Sequence, residues 1–516
     1  MRNMKILELL KKLVAIDSIT GTAKEQKVEN FLVKHLQSMD YFKAHAEQAA
    51  LSAVPQDSFG RAVVYGLVQG QSKKTIILIN HHDVVDISCY GSYIDKACDM
   101  DEITEVLKTM DLDAEAAADF ASGDWIGGRG SNDMKGGAAA QLVYLEEYSH
   151  NPDKGSLLFL SVPDEETFSC GMRHAISVLQ ELKEKYDLEY VLCINSEPNR
   201  REEGVQVVPT GSVGKLLPFV VLQGKSTHIS EYAHGLSPMG ILAGLVAATE
   251  GNPEYKEHCG EESTIAPVWL RMRDCKQIYD FSLPDRAVGY CSIQTFQKGP
   301  QEIIDAFKTD LKQVLQRFYG LYPDAPQMPI ISSKELLERA NQVEGFAEWN
   351  QKALAELRRR IFEEGHSYPE ETLTYVLEVL DFMCYTEPVA ILGFAPPYYP
   401  ATNSLLMEKP YFAKLQEVVA NVLPVKYEPY FLGVSDCSYC GLTTKDNPDD
   451  YKNNTPLWGE LYSFDMCTLA GLQVPFMLLG PWGKNLHEIT ERVNIPSLTE
   501  ELPNALDAVI KAAWEI

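Results

Sequence analysis

Four apolar, β-rich runs in this chain each lead into histidines or carboxylates. KKTIILIN runs into His81, His82 and Asp83, SLLFLSV into Asp164, Glu165 and Glu166, EYVLCINS into Glu197, and VPFMLLG through a short loop into His487. Such runs alternate with helical patterns through the N-terminal part of the chain, which argues for a mostly parallel sheet. In open α/β sheets ligands bind just beyond the carboxyl ends of the strands, so the four segments describe one shared crevice. The expected fold is therefore α/β: a catalytic domain with a mostly parallel central sheet and helices on both faces, split in sequence by an inserted α+β domain.

The interruption begins near Thr210. KLLPFVVLQ reads as a strand, 237–250 as a helix, AVGYCSIQTF as a strand, and Gln301 to about Tyr319 as a helix. A polar helical stretch over 333–384 follows, then a strand at 388–394 and the Pro-rich APPYYP. The boundaries are placed at 1–209 for the first part of the catalytic domain, 210–401 for the inserted domain with a helical extension, and 402–516 for the second part. A second interruption, 86–124, is acidic and reads as solvated helices decorating the surface.

Charge narrows the partners. Lys and Arg number 46 against 73 Asp and Glu, a net charge of −27, and no local basic patch offsets it. Nucleic acid and anionic membrane surfaces are thereby disfavoured, leaving a small molecule or short peptide as the expected partner. Hydrophobic residues at 45% and charged residues at 23% match a folded globular chain. No apolar run is long enough to span a bilayer, and Glu8, Lys11 and Lys12 interrupt the N-terminal stretch where a signal peptide needs an unbroken core. That stretch reads instead as an amphipathic helix burying Ile6, Leu9, Leu10, Leu13 and Val14. The 11 scattered cysteines suit a reducing, cytoplasmic setting.

The chemistry lies at the strand ends. Two residues apart on a strand, His81 and Asp83 point to the same side while His82 points away, and Asp83 suits the carboxylate that holds a metal-bound histidine by its second nitrogen. GGRGSNDMKGG presents Asp133 from a glycine-dense loop at a helix start, where an acid could bridge two cations. The loop lacks a Gly-Lys-Ser/Thr ending and a complete Gly-x-Gly-x-x-Gly, which disfavours nucleotide phosphate. Glu165 and Glu166 are adjacent acids whose repulsion needs a metal or a proton to compensate it. With Glu197 and His487 the candidates form a mixed nitrogen and oxygen set, suited to catalytic Zn, Mn or Co, and five ligands suffice for two bridged divalent ions. Cys437-x-x-Cys440 lacks a second cysteine pair or suitably spaced histidines and reads as inert thiols.

HHDVV, GRGSNDMKGG, PDEET, NSEP and the late His487, in that order, resemble the aminoacylase and carboxypeptidase metallopeptidases of peptidase family M-20. INSEP, APPYYP and the chain length more closely resemble its RocB-type arginine-utilisation branch. The resemblance implies that His81, Asp133 and Glu197 hold one metal and Asp133, Glu166 and His487 the other, with Glu165 as general base and Asp83 orienting His81. It further implies a metal-dependent amidohydrolase cleaving a small N-acyl amino acid or short peptide. The inserted domain would be a lid that forms homodimers and lends His228, in GKSTHISEYAHGLSPMG, to the partner's active site. Two alternatives stand beside it: a non-catalytic metal-binding or regulatory member of the same fold, and another two-metal hydrolase such as a phosphoesterase. FLGVSDCSYCG keeps only Gly433 and Asp436 of the family's substrate loop. Arg271, Arg273 and Arg286 are the candidate partners for a substrate carboxylate.

Overall fold

The computed structural model describes residues 2–443, 447 and 449–516. The chain divides into two compact units: Met1–Ser212 with Thr402–Leu442 and Phe464–Ile516, and Val213–Ala401 with Thr443–Ser463.

The first unit is built on a six-stranded sheet. Its strands are β1 (Ala49–Ala53), β2 (Ala62–Val68), β3 (Lys74–His81), β4 (Ser156–Val162), β5 (Glu189–Asn195) and β6 (Phe476–Leu478). They lie in the spatial order β1-β2-β4-β3-β5-β6. The pairs β3–β4, β3–β5 and β5–β6 are parallel, and β1 and β2 extend the edge antiparallel. Register aligns the parallel strand ends: His81 pairs with Val162, Ile79 with Asn195, and Asn195 with Leu478. The chain segments leaving these four strands therefore open at one edge, as the apolar runs predict.

Burial explains why these segments are strands and helices of this kind. Every residue of β4 is buried, so its side chains on both faces are apolar or small. The N-terminal helix Arg2–Val14 buries the stripe Ile6, Leu9, Leu10, Leu13 and Val14, at the spacing of one helix face. Together with Lys135–Ser149 and the C-terminal helix Leu502–Glu515 it packs into the same core as β2, β3, β4 and β5. Among the described residues no helix is long and apolar enough to cross a membrane.

The 86–124 stretch departs from its expected role. Its helices Met100–Leu107 and Ala114–Ser122 bury Ile103, Leu107 and Phe120 with Tyr90 and Trp125 in a small core of their own. Asp119 takes Arg492 at 2.7 Å and Lys484 at 2.8 Å. The acidic composition hides two amphipathic helices whose apolar faces need a partner.

The second unit carries a five-stranded sheet in the order 268–274, 286–295, 214–223, 389–399, 330–332. All pairs are antiparallel but the last. Its strand 389–399 runs on through APPYY to Tyr399 instead of stopping at 394. Pro396 and Pro397 sit where the ladder shifts register between Lys215 and Leu217, the place in a sheet where a missing N–H costs least. The segment 443–463, left with the catalytic domain by the sequence boundaries, belongs to this unit instead. Tyr451 stacks on Tyr398 at 4.2 Å, and the Phe394 amide donates to the Asn454 carbonyl at 2.8 Å.

Candidate metal centre

His81, the last residue of β3, lies between two sets of carboxylate oxygens. Its Nε2 is 3.1 Å from Asp133 Oδ1 and 3.5 Å from Glu197 Oε1. Its Nδ1 is 3.1 Å from the Asp83 carbonyl and 3.4 Å from Asp83 Oδ1. His487 Nε2 is 3.2 Å from Asp133 Oδ2 and 3.3 Å from Glu166 Oε2. Asp133 thus turns one oxygen to each histidine, and each histidine has a glutamate of its own.

Backbone contacts fix this arrangement. The Asp83 carboxylate accepts the Glu165 amide on Oδ1 and the Glu166 amide on Oδ2, both at 3.2 Å. One buried acid so orients His81 and positions the paired glutamates beyond β4. Glu197 is set by close packing. A Cβ added at Gly137 would stand 2.1 Å from the Ser196 carbonyl oxygen, and one at Gly480 would stand 2.0 Å from that of Glu197. Glycine is required at both because the helix Lys135–Ser149 and the chain beyond β6 approach the Ser196–Glu197 backbone this closely. The other strand-end residues serve the scaffold. His82 bonds Ser161 Oγ at 3.0 Å, and Asp164 takes Arg61 at 2.7 Å.

Comparison with known proteins places the chain in a family. A model of peptidase family M20/M25/M40 matches residues 105–448. The chain belongs to that family. The M20 chain is 31% identical to YqjN of Bacillus subtilis (strain 168), covering 98% of this chain and 96% of that protein. It is 26% identical to RocB of the same organism, covering 97% and 93%. A succinyl-diaminopimelate desuccinylase of Vesicomyosocius okutanii matches at 26% identity over 45% of this chain and 52% of its own length. Among solved structures, a tripeptidase from Staphylococcus aureus superposes with a TM-score of 0.55 at 15% identity, covering 100% of this chain and 99% of that one. This M20 chain is a metal-dependent hydrolase with the family's α/β catalytic and lid fold, and the non-catalytic alternative is set aside.

The residues fit divalent metal. Ligand atoms of His81, Asp133 and Glu166 lie within 4.8 Å of one another. Glu166 Oε1 is a buried acceptor with no hydrogen-bond donor among the described residues. Burial raises the carboxyls of Glu165, Glu197 and Glu166 above the usual range, and their neighbouring acids add to it. Burial opposes protonation of His81, yet Glu197, Asp133 and Asp83 carry it well above an ordinary imidazole. His487 is pushed up to about 10 by Asp133 and Glu166. Burial resists ionisation of Asp133, and the two histidines overcome it and hold the carboxyl low. A nest of carboxylates that draws protons onto both imidazoles in this way suits cations at the same positions.

Three further buried residues adjoin the centre, of which the sequence reading singled out only Asp436, as a residue of the substrate loop. Asp436 is 2% exposed and adds to the charge felt by Glu165 and Glu197. Burial lifts its carboxyl to about 7. Its one signal was the partial loop match in FLGVSDCSYCG. Arg129 and Glu491 are buried beneath the Asp133 loop. Arg129 sits in GRGSNDMKGG and Glu491 four residues after His487, but spacing gives no hint that they meet.

His228 belongs to the second unit, exposed, with Nδ1 2.8 Å from Ser230 Oγ and its ring stacked on Phe281. The arginines considered for a substrate carboxylate are engaged within that unit: Arg271 and Arg273 with Glu370, and Arg286 with Asp381.

Proposed function

We propose that this chain is a dinuclear amidohydrolase that cleaves the amide bond of a small N-acyl amino acid or short peptide. The observation that carries the reading is Asp133, whose two oxygens face two histidines at 3.1 and 3.2 Å, each histidine beside a different glutamate. His81 and Glu197 would hold one divalent ion, His487 and Glu166 the second, and Asp133 both; zinc suits this mixed nitrogen and oxygen donor set. When bound, such a pair lowers the pKa of an attacking water to about 7 and polarises the carbonyl.

Glu165 takes the proton that the water sheds as its oxygen bonds to the carbonyl carbon. It returns that proton to the amide nitrogen as the C–N bond breaks, so one carboxylate serves as base and then acid. Asp83 holds the Glu165 backbone in place. By family resemblance His228 donates to the developing oxyanion across a homodimer. The strand 268–274 supports a dimer of this kind: it is the sheet edge of the second unit, with Val268, Leu270 and Met272 exposed in alternation. Eleven free cysteines support a reducing, cytoplasmic setting.

The experiment is a hydrolysis panel of N-acyl amino acids and dipeptides, before and after chelation. Arginine and ornithine derivatives head it because of the resemblance to the RocB-type branch. Turnover of a panel member that chelation abolishes and divalent metal restores is the expected result. Turnover indifferent to chelation overturns the reading.

A further inference from the structure

Three thiols from two segments far apart in sequence meet inside the first unit. Cys193 is on β5, Cys437 lies within one turn of 3-10 helix, Asp436–Tyr439, and Cys440 directly follows that turn. Their Sγ atoms all lie within 4.8 Å of one another, and the residues are 1%, 0% and 4% exposed.

The scaffold around them is tightly braced. The Cys437 amide donates to Ser435 Oγ at 3.1 Å, and Thr402 Oγ1 lies 2.9 Å from the carbonyls of both Ser438 and Gly441. The Cys193 amide donates to the Pro475 carbonyl at 2.8 Å, while the Cys440 carbonyl accepts the Val474 amide at 3.0 Å. One short segment, 474–475, therefore ties β5 and the cysteine turn together.

Buried cysteine is often simply a small hydrophobe. Packing alone gives no reason for three sulfurs from two segments to converge on one point. Two of them come from a Cys-x-x-Cys turn, the arrangement by which short loops chelate soft cations. We propose that Cys193, Cys437 and Cys440 form a thiolate site for one soft d10 cation, Zn2+ or Cu+, separate from the histidine and carboxylate centre.

Binding would release thiol protons to solvent and replace them with metal–sulfur bonds, with no change in oxidation state. Burial pushes the Cys193 and Cys437 thiols up, and contact with Cys193 does the same for Cys440, so without a cation the three stay protonated. The cation would clasp β5 to the turn. Cys437 directly follows Asp436, and Cys193 precedes Glu197 by four residues, so the clasp would stiffen one wall of the crevice.

The test uses the reduced, full-length protein, stripped of metal by chelation and titrated anaerobically with Cd2+. Thiolate-to-cadmium charge-transfer absorption reports sulfur ligation alone, because the histidine and carboxylate centre contains no sulfur. The expected result is a band that saturates at one equivalent, persists in His81→Ala, and is lost in Cys193→Ala and Cys437→Ala with unchanged circular dichroism. A folded wild type that develops no band overturns the proposal, as does a band that survives both cysteine substitutions. Should those variants not fold, X-ray absorption of the wild type loaded with one equivalent of Zn2+ or of Cu+ decides. Sulfur neighbours, at about 2.3 Å for zinc, support the site and identify its cation; nitrogen and oxygen neighbours alone, with both metals, overturn it. The readout is independent of whether the chain hydrolyses any amide.

Discussion

Arg129 and Glu491 form a buried ion pair, Nη1 to Oε2 at 2.5 Å, that holds two loops of the candidate centre at once. Glu491 Oε1 accepts the amides of Asn132 and Asp133 at 3.2 and 3.3 Å, and Arg129 Nη2 donates to the His487 carbonyl at 2.9 Å. The guanidinium also lies over the Tyr90 ring. The separation of Asp133 from His487 therefore depends on a pair that lies beneath the ligands.

Removing one partner leaves the other uncompensated in the interior, which typically costs about 3–5 kcal/mol. Arg129→Met is expected to lose stability in that range by urea unfolding and to weaken metal binding at the His487 side. Stability within about 0.5 kcal/mol of wild type, the range of an ordinary surface change, would show that the pair holds nothing.

Asp83 touches no proposed cation yet positions three of the groups around it, His81, Glu165 and Glu166. Loss of such a supporting carboxylate typically costs about 10- to 100-fold in metal affinity. Asp83→Ala is expected to fall in that window in competition with a chelator, and an unchanged affinity would assign the residue to folding alone.

Glu165 is adjacent to the proposed ligand Glu166 but serves as the proton carrier in our account. Glu165→Gln should keep the wild-type metal content and lose turnover by roughly 100- to 10,000-fold, the usual contribution of a positioned acid–base group. Loss of metal together with activity would make it a ligand instead.

Gly137 meets the Ser196 carbonyl oxygen at a distance that no side chain tolerates. Gly137→Ala should cost about 1–3 kcal/mol, as overpacking in a dense interior does. It should also lower metal affinity by displacing Glu197. Thermal unfolding with and without added metal separates the two effects.

The sequence made the strand ends legible because apolar runs that stop at acids and histidines leave few other places for those groups to go. His81, Glu166 and Glu197 are of this kind, and the glycines around Asp133 announce a close approach. Other features depend on contacts between distant segments, about which spacing is silent. Cys193 reads as one more apolar strand residue until the 435–440 turn is brought beside it. Arg129 and Glu491 stand 362 residues apart, and nothing in the linear pattern brings the two together in the interior. The acidity of 86–124 conceals the apolar stripe of Met100, Ile103 and Leu107, because the exposed acids of the same helix, Asp101, Glu102 and Glu105, dominate its composition. The 443–463 segment joins the second unit through aromatic stacking of Tyr451 that no linear pattern encodes.

Central to this account is Asp133 as a bridge between two cations. Anomalous-diffraction crystallography of the zinc-loaded protein tests it most directly. The account predicts two peaks flanking the Asp133 carboxylate, one beside His81 and Glu197 and the other beside His487 and Glu166. A single peak, or two peaks of which neither contacts Asp133, would contradict it.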